Sequence, residues 1–596
     1  MMRVADYIVA TLWSAGAEHV FMVTGRGALF LSDAVAAHKS LVGICLHHEQ
    51  SAAYAAVAYA QYTERVGACL VSTGCASTNA VTGVLNAWQD GVPCVFVSGQ
   101  NKLHETSRHT GIPLRTFGQQ EADIVSIVEP ITKYAVMITD PERIVYEMEK
   151  ALYLAQSGRK GPVWIDVPLD IQNMRIEPEE LEHFVAADDQ RPGSPLPEDL
   201  QYIAESLREA SRPAVLIGGG IRSAGGVQEL AAFLEAQPIP VAYSSSAPDT
   251  YGADHQLSIG SVGSMGCTRA GNFTVQNSDL LLVLGCRLSS MTTGGTACEA
   301  FARDAKVIVV DIDPIEHSKG TVRIDRLVVA DVRELLSALM REDTGKPRQE
   351  WLAKCQHWQQ VFPRCEEQHR LSKKVDLYCV AESLSEALPE DAVVLTDSGL
   401  EELILPTNIG FKRRQRCIHP ASQGSMGYAL PGVVGAHYAS GCPVIAVIGD
   451  GSIMMNLQEL QTIRYHRIPA KIIVINNNAY AIIRRRQVDL FRSRTIGTDA
   501  GNGVDCPEFS EVAKCFGFSY QRIESSAELR SGLTAVMDMD GPVLCEIMGL
   551  EDQNFIRSSH TRNSEKRIVQ RPIEDQAPFL DRDLFLSEMI IEPIDQ

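Results

Sequence analysis

Along the first 180 residues short apolar runs recur, each followed by a glycine-rich or polar break and then an Ala-rich stretch: "VFMVTG", "LVGICLH", "GACLVSTG", "CVFVSG" and "GPVWIDVP". Continuous β-branched runs mark strands buried on both faces, and helical segments between them make βαβ units with parallel strands. The pattern pauses at a polar, proline-bearing stretch, "ADDQRPGSPLPEDL" at 187–200, which reads as a linker. It resumes with "PAVLIGGG", "IPVAYSSS", "DLLLVLGCRLS" and "AKVIVVDIDP", and again, after a charged helical stretch, with "AVVLTDSG", "PVIAVIGDG", "AKIIVINNN" and "PVLCEIMG". The expected fold is α/β, with three consecutive doubly wound parallel-sheet domains at 1–180, 190–345 and 365–550. A polar, aperiodic tail, 551–596, is expected to pack on or cap a site.

Size and charge narrow the function. A chain of 596 residues is too long for one core. With 54 Lys and Arg against 74 Asp and Glu, the net charge is -20, so neither nucleic acid nor an anionic membrane is the expected partner, since both need basic patches. No stretch approaches the roughly 18 apolar residues of a membrane span. The start, "MMRVADYIVATLWSAG", carries Arg3 and Asp6 early and has no signal-peptide core. The fifteen cysteines lie singly in apolar segments with no CxxC pair, as buried thiols of a reducing, cytoplasmic compartment do, and no structural zinc site is expected.

Ligands of open parallel sheets lie beyond the carboxyl ends of the strands. There "VIAVIGDGS" delivers Asp450 between two glycines, and about two dozen residues later "KIIVI" runs into "NNNAY". An Asp-Gly pair is by itself a turn signal, and an Asn a helix cap. The other reading is a hard divalent cation, which takes a carboxylate, an amide oxygen and a backbone carbonyl together with phosphate and water. Asp450, Asn477 and the Ala479 carbonyl make such a set.

GDG followed at this spacing by NN closely resembles the diphosphate-anchoring motif of thiamine diphosphate enzymes. The resemblance implies Mg²⁺ on Asp450, Asn477 and Ala479, and cofactor contacts from Gly449, Gly451, Ser452 and Asn477. Far from that motif, "LVGICLHHEQSAAYAAVAYAQ" sets Glu49 between an apolar run and an Ala-rich helix, where these enzymes carry the glutamate that hydrogen-bonds the aminopyrimidine ring. A glutamate at a helix start is also what the helix dipole favours. "ASQGSMGYALPGVVGA" resembles the family's stretch in which the Gly424 carbonyl accepts from the aminopyrimidine and Met426 wedges under the bent cofactor. "GCASTNAVTGVLNAWQDGVPCVFVSG" and "QQEADIVSIVEPITKYAVMI" extend the likeness, over nearly the whole chain, to acetolactate synthase-like enzymes. That likeness implies pyrimidine-binding, middle and diphosphate-binding domains, a catalytic site that adds Gln120 and the Gly25 amide to Glu49, and a homodimer or homotetramer with sites between subunits. In the middle unit "LIGGGIRSAGG", "LGCRLSS", "VVDIDPIEH" and "VADVREL" resemble flavin-binding segments. They point to FAD on Gly218, Gly219, Gly220, Arg287, Asp311 and Asp331.

Three departures touch the acceptor side. Arg26 stands in "TGRGA" where the synthases have glycine, Gln119 where they have Phe, and Arg486 where they have tryptophan. With Ile482 these are the candidate substrate residues, and they imply a carbonyl acceptor more polar than a 2-keto acid. The tail resembles the yersiniose-type branch, which transfers an acetyl unit from pyruvate to a nucleotide-linked 4-keto-deoxysugar. The rivals are acetolactate synthase itself, a flavin-dependent pyruvate oxidase, a 2-keto acid decarboxylase and a non-catalytic flavin-binding homologue. The decarboxylase would need paired histidines near residue 105, and only the separated His104 and His109 occur.

Overall fold

Each of the three series of apolar runs folds into a six-stranded, all-parallel sheet flanked by helices. The computed structural model describes residues 1–186, 193–295, 300–562 and 568–594. Part of the stretch read as a linker, 187–192, lies outside the described residues, and its last four residues already belong to the helix Pro197–Glu209. Numbered within each unit, the strands of the first and third sheets follow the same order, 2-1-3-4-6-5, whereas the middle sheet runs 3-2-1-4-5-6. The latter is the order of dinucleotide-binding sheets, with its switch point between its first and fourth strands, Pro213–Ile217 and Leu280–Leu284.

The central strands are the apolar runs of the sequence. Val444–Gly449 and Lys471–Asn476 are buried at every position and pair in register, Gly449 opposite Ile475. Four edge strands are only partly buried: Arg416–Ile418, Ser519–Ile523, Arg326–Val329 and Tyr134–Met137.

The first and third units pack through two helices of small residues, Glu49–Thr63 and Ala429–Ser440. Ten consecutive residues of the former, Ser51 to Ala60, are buried, which an all-round Ala-rich surface permits. The approach is so close that a Cβ on Gly435 would lie 2.0 Å from the Ala55 carbonyl oxygen. The tail returns over the middle unit. Gln576 and Asn272 hydrogen-bond each other, Glu574 pairs with Arg303, and Phe585 of the helix Arg582–Glu588 packs on Phe273.

Candidate functional site

The sheet pairing of Val444–Gly449 with Lys471–Asn476 brings the two halves of the motif together. The Asn477 amide donates to Asp450 Oδ2 at 3.1 Å, the Gly451 amide to Asp450 Oδ1 at 2.8 Å, and the Ala479 amide to Asn477 Oδ1 at 3.1 Å. Of the three consecutive asparagines, Asn476 is committed elsewhere, to Glu546 at 2.6 Å. Burial pushes the Asp450 carboxyl up to about 6, against the lowering effect of the surrounding backbone amides. Gly451 has no room for a side chain, since a Cβ there would meet the Tyr480 ring at 1.8 Å. Ser452 does not present a free hydroxyl: it donates to Asp397 at 2.8 Å and accepts from the Gly427 amide at 2.9 Å.

Two acids that sequence reasoning passed over complete this corner. Asp397 follows the strand Val393–Leu395 and joins three loops, accepting also from the amides of Ser398 and Gly427. Glu401, buried under Gly449, is pushed up to about 8 by burial and then by Asp450 and Asp397. Burial holds Asp397 at about 7. The clue was "VVLTDSG", which repeats the apolar-run-then-Asp pattern of "VIAVIGDGS". Among the described residues none of these three carboxyls makes an ion pair with a basic side chain, and no cluster of three or more His, Cys, Asp or Glu is arranged to hold a metal by side chains alone. Mixed oxygen donors beside unneutralised buried acids fit a hard divalent cation shared with a phosphate ligand. Gly424, at φ 57, and Met426, half-buried, lie on the loop that Asp397 holds through Gly427.

On the first unit, half-buried Glu49 starts its helix and accepts from Asn79 Nδ2 at 2.9 Å. Gly25 abuts Ser72, where a Cβ would lie 2.5 Å away. Arg26 donates to Gln119 at 2.7 Å, so two of the proposed acceptor residues meet. Gln120 has φ 58, and its carbonyl is seated against Gly74. The loop is shaped by Glu121, which accepts from Ser107 and from the Phe117 amide. Within one chain the first unit reaches the third next to the Asp450 loop: Ser51 donates to Asn456 at 3.0 Å and Asn456 to Gln50 at 3.1 Å. Glu49 itself lines neither the two larger cavities described below nor the small one beside Asp450.

At the middle unit's switch point a cleft of about 510 Å³ is walled by all three units. Gly219, Gly220, Arg287, Asp311 and Asp331 line it together. Gly218 does not: its role is packing, since a Cβ there would meet the Gly285 carbonyl at 2.3 Å. The Asp331 carboxylate is partly spent as the N-cap of the helix Val332–Leu339. Arg287 donates to Ser422 at 2.5 Å and pairs with Glu316 at 3.3 Å. The Arg287–Glu316 pair is made through Nε, and Arg222, whose Nε is buried without a hydrogen-bond partner, pairs through its Nη atoms with Glu64 and Asp249. Guanidinium groups beside a glycine turn suit the phosphates of a dinucleotide. Ile482 and Arg486 lie elsewhere, in a separate cavity of about 370 Å³.

Three family models cover most of the chain: residues 2–127 match the N-terminal TPP binding domain of thiamine pyrophosphate enzymes, 200–339 the central domain, and 397–547 the C-terminal TPP binding domain. The acetolactate synthase isozyme 2 large subunit of Escherichia coli (strain K12) is 31% identical over 554 residues, 92% of this chain and 95% of that protein. The acetolactate synthase large subunit of Corynebacterium glutamicum is 31% identical over 565 residues, 92% and 87% of the two chains. The probable acetolactate synthase large subunit of Methanocaldococcus jannaschii is 30% identical over 565 residues, 92% of each.

Proposed function

Because this chain belongs to the acetolactate synthase-like family of thiamine diphosphate-dependent carboligases, we propose that it decarboxylates pyruvate and transfers the acetyl unit to a nucleotide-linked 4-keto-deoxysugar. The observation that carries the cofactor half is the pairing of Asp450 with Asn477 at the ends of adjacent strands, in an acidic corner without a basic partner. Bound thiamine diphosphate supplies a nucleophilic thiazolium carbon and an electron sink for the acyl unit.

The chain's own residues do the rest. The Asp450 carboxylate, Asn477 Oδ1 and the Ala479 carbonyl would hold Mg²⁺, the ion that anchors the diphosphate. The Gly424 carbonyl would accept from the aminopyrimidine, and Met426, whose thioether suits an irregular gap, would pack against the cofactor. Glu49, steadied by Asn79, would share a proton with a ring nitrogen. The Gly25 amide and Gln120 face the reacting oxygens. FAD would be held in the 510 Å³ cleft by Arg287, the Gly219–Gly220 turn, Asp311 and Asp331, which line it. We place the enzyme in the cytoplasm as a homodimer or homotetramer, with Glu49 of one subunit serving the Asp450 loop of another. Fourteen free thiols among the described residues support a reducing compartment, and no helix there is long and apolar enough to cross a membrane.

The polar acceptor rests on Arg26, Gln119 and Arg486, of which the first two are hydrogen-bonded on an exposed loop. The names of the relatives favour a second reading, in which the acceptor is a 2-keto acid. Incubation with pyruvate, Mg²⁺ and thiamine diphosphate, with and without a nucleotide-linked 4-keto-deoxysugar, separates the two. The proposal expects CO₂ release and a branched-sugar product by mass spectrometry. Acetolactate as the product whether or not the sugar is present would replace it.

A further inference from the structure

The cavity of about 370 Å³ that takes Ile482 and Arg486 is walled by the helix Ala481–Leu490, the 290–295 segment of the middle unit and the returning tail. Arg485 and Arg486 come from the helix, and Arg557 and Ser558 from the tail. Arg485 Nε, Arg557 Nη1 and Ser558 Oγ are each buried without a hydrogen-bond partner. Among the described residues none of the three arginines makes an ion pair. Their neighbour Arg484, by contrast, is spread over Asp499, Glu551 and Asp552. One carboxylate, the exposed Asp489, also lines the cavity, which leaves it a net positive wall. A buried donor left unpaired is costly, more so when charged, so this arrangement is one that an anion would stabilise.

The cavity is also stiff and well placed. The Arg557 backbone exchanges hydrogen bonds with Ala577 at 2.8 and 3.0 Å, and the Ser558 amide donates to the Ser264 carbonyl at 2.7 Å. The helix carrying Arg485 begins two residues after Ala479, and Arg485 stands about 6 Å along it from Ala481. The opposite wall is the single-turn helix Ser290–Thr293, with Ser290 and Met291 on this cavity and Thr292 on the 510 Å³ cleft. A group held here therefore sits between the metal-holding loop and the dinucleotide cleft.

We propose that this cavity is the subsite for the phosphate or diphosphate group of the acceptor, bound by Arg485, Arg557 and Ser558. The inference rests on the reading of the acceptor as a nucleotide-linked sugar and goes beyond it by naming the residues that hold its phosphates. Two planar guanidiniums match phosphate oxygens bidentately and exceed what a lone carboxylate needs. Arg557 is lowered by burial and by Arg485, which is the mutual repulsion that an intervening dianion would relieve.

The test uses the full-length enzyme saturated with thiamine diphosphate and Mg²⁺, titrated calorimetrically with uridine diphosphate, which has no reactive carbonyl, and in parallel with uridine. Uridine diphosphate should bind and uridine should not. Arg485→Gln and Arg557→Met should each weaken binding at least tenfold, with Ser558→Ala weaker in effect. Arg557→Lys, which keeps the charge but not the fork, should fall between, and guards against a loss caused by misfolding. Unaltered affinity in both Arg485→Gln and Arg557→Lys, or equal binding of uridine, would overturn the subsite. Acetolactate as the product from pyruvate even with the nucleotide-linked sugar present would instead overturn the reading beneath it, whatever the calorimetry gives.

Discussion

Replacing Asp450 by Asn tests the cation site by stability as well as by binding. A carboxyl held at about 6 instead of 3.8 costs the folded chain about 3 kcal/mol once it is ionised. The folded value lies above the unfolded one, so the stability it allows is whole below about pH 4 and is lost as pH rises through about 6. Asn removes that penalty but leaves one of the two backbone amides, Gly451 or Asn477, facing an amide nitrogen, at a cost of about 1–2 kcal/mol. Without ligands, Asp450→Asn should therefore be more stable than wild type by about 1–2 kcal/mol at pH 8, roughly 1–2 °C in melting midpoint for a chain of 596 residues, and about equal at pH 5. Mg²⁺ with thiamine diphosphate at about a hundred times its Kd should raise the wild type by about 2.7 kcal/mol and leave the variant unmoved. Differential scanning fluorimetry at both pH values, with and without ligands, reads all four quantities. A variant destabilised at pH 8, or one that still responds to Mg²⁺ and cofactor, would refute the reasoning.

Other outcomes follow from single contacts. Gly435→Ala drives a Cβ into the Ala55 carbonyl at 2.0 Å and should cost about 1–3 kcal/mol, seen as a lower urea midpoint at an unchanged slope. Burial pushes Asp166 up to about 7, although Ser98 and Gln100 donate to it; its contribution is whole below about pH 4 and is lost through about 7. Asp166→Asn should thus flatten the fall in unfolding free energy between pH 5 and pH 8, read from urea titrations, by roughly 2–3 kcal/mol. The purified protein should carry flavin absorbance, and Arg287→Met should lose most of it while retaining the fold by circular dichroism.

The parts of the fold legible in the sequence were those that burial dictates. Central parallel strands must be apolar throughout, so "VIAVIG" and "KIIVI" announced themselves, and with them the residues that follow, Asp450 and Asn477. Edge strands such as Arg416–Ile418 carry less apolar length and merged with their loops. Glu401 in "LEELIL" reads as a solvated helix face; only the packing of that helix under Gly449 makes it a buried acid. The tail looked aperiodic because its order is tertiary: Glu574, Asp575 and Gln576 are buried through partners about three hundred residues away or in the same turn. Of the arginine run, sequence pointed to Arg486, whereas Arg485 and Arg557 meet only because the tail folds back.

The central claim is that Glu49 activates a cofactor anchored by Asp450 and Asn477, and hydrogen–deuterium exchange at the cofactor's thiazolium C2, quenched by acid and read by proton NMR, tests it most directly. On the wild type with Mg²⁺ the exchange should run at least about a hundredfold faster than in free cofactor, and Glu49→Gln should abolish that acceleration while cofactor binding persists. Exchange no faster than free cofactor on the wild type, or equally fast on Glu49→Gln, would contradict it.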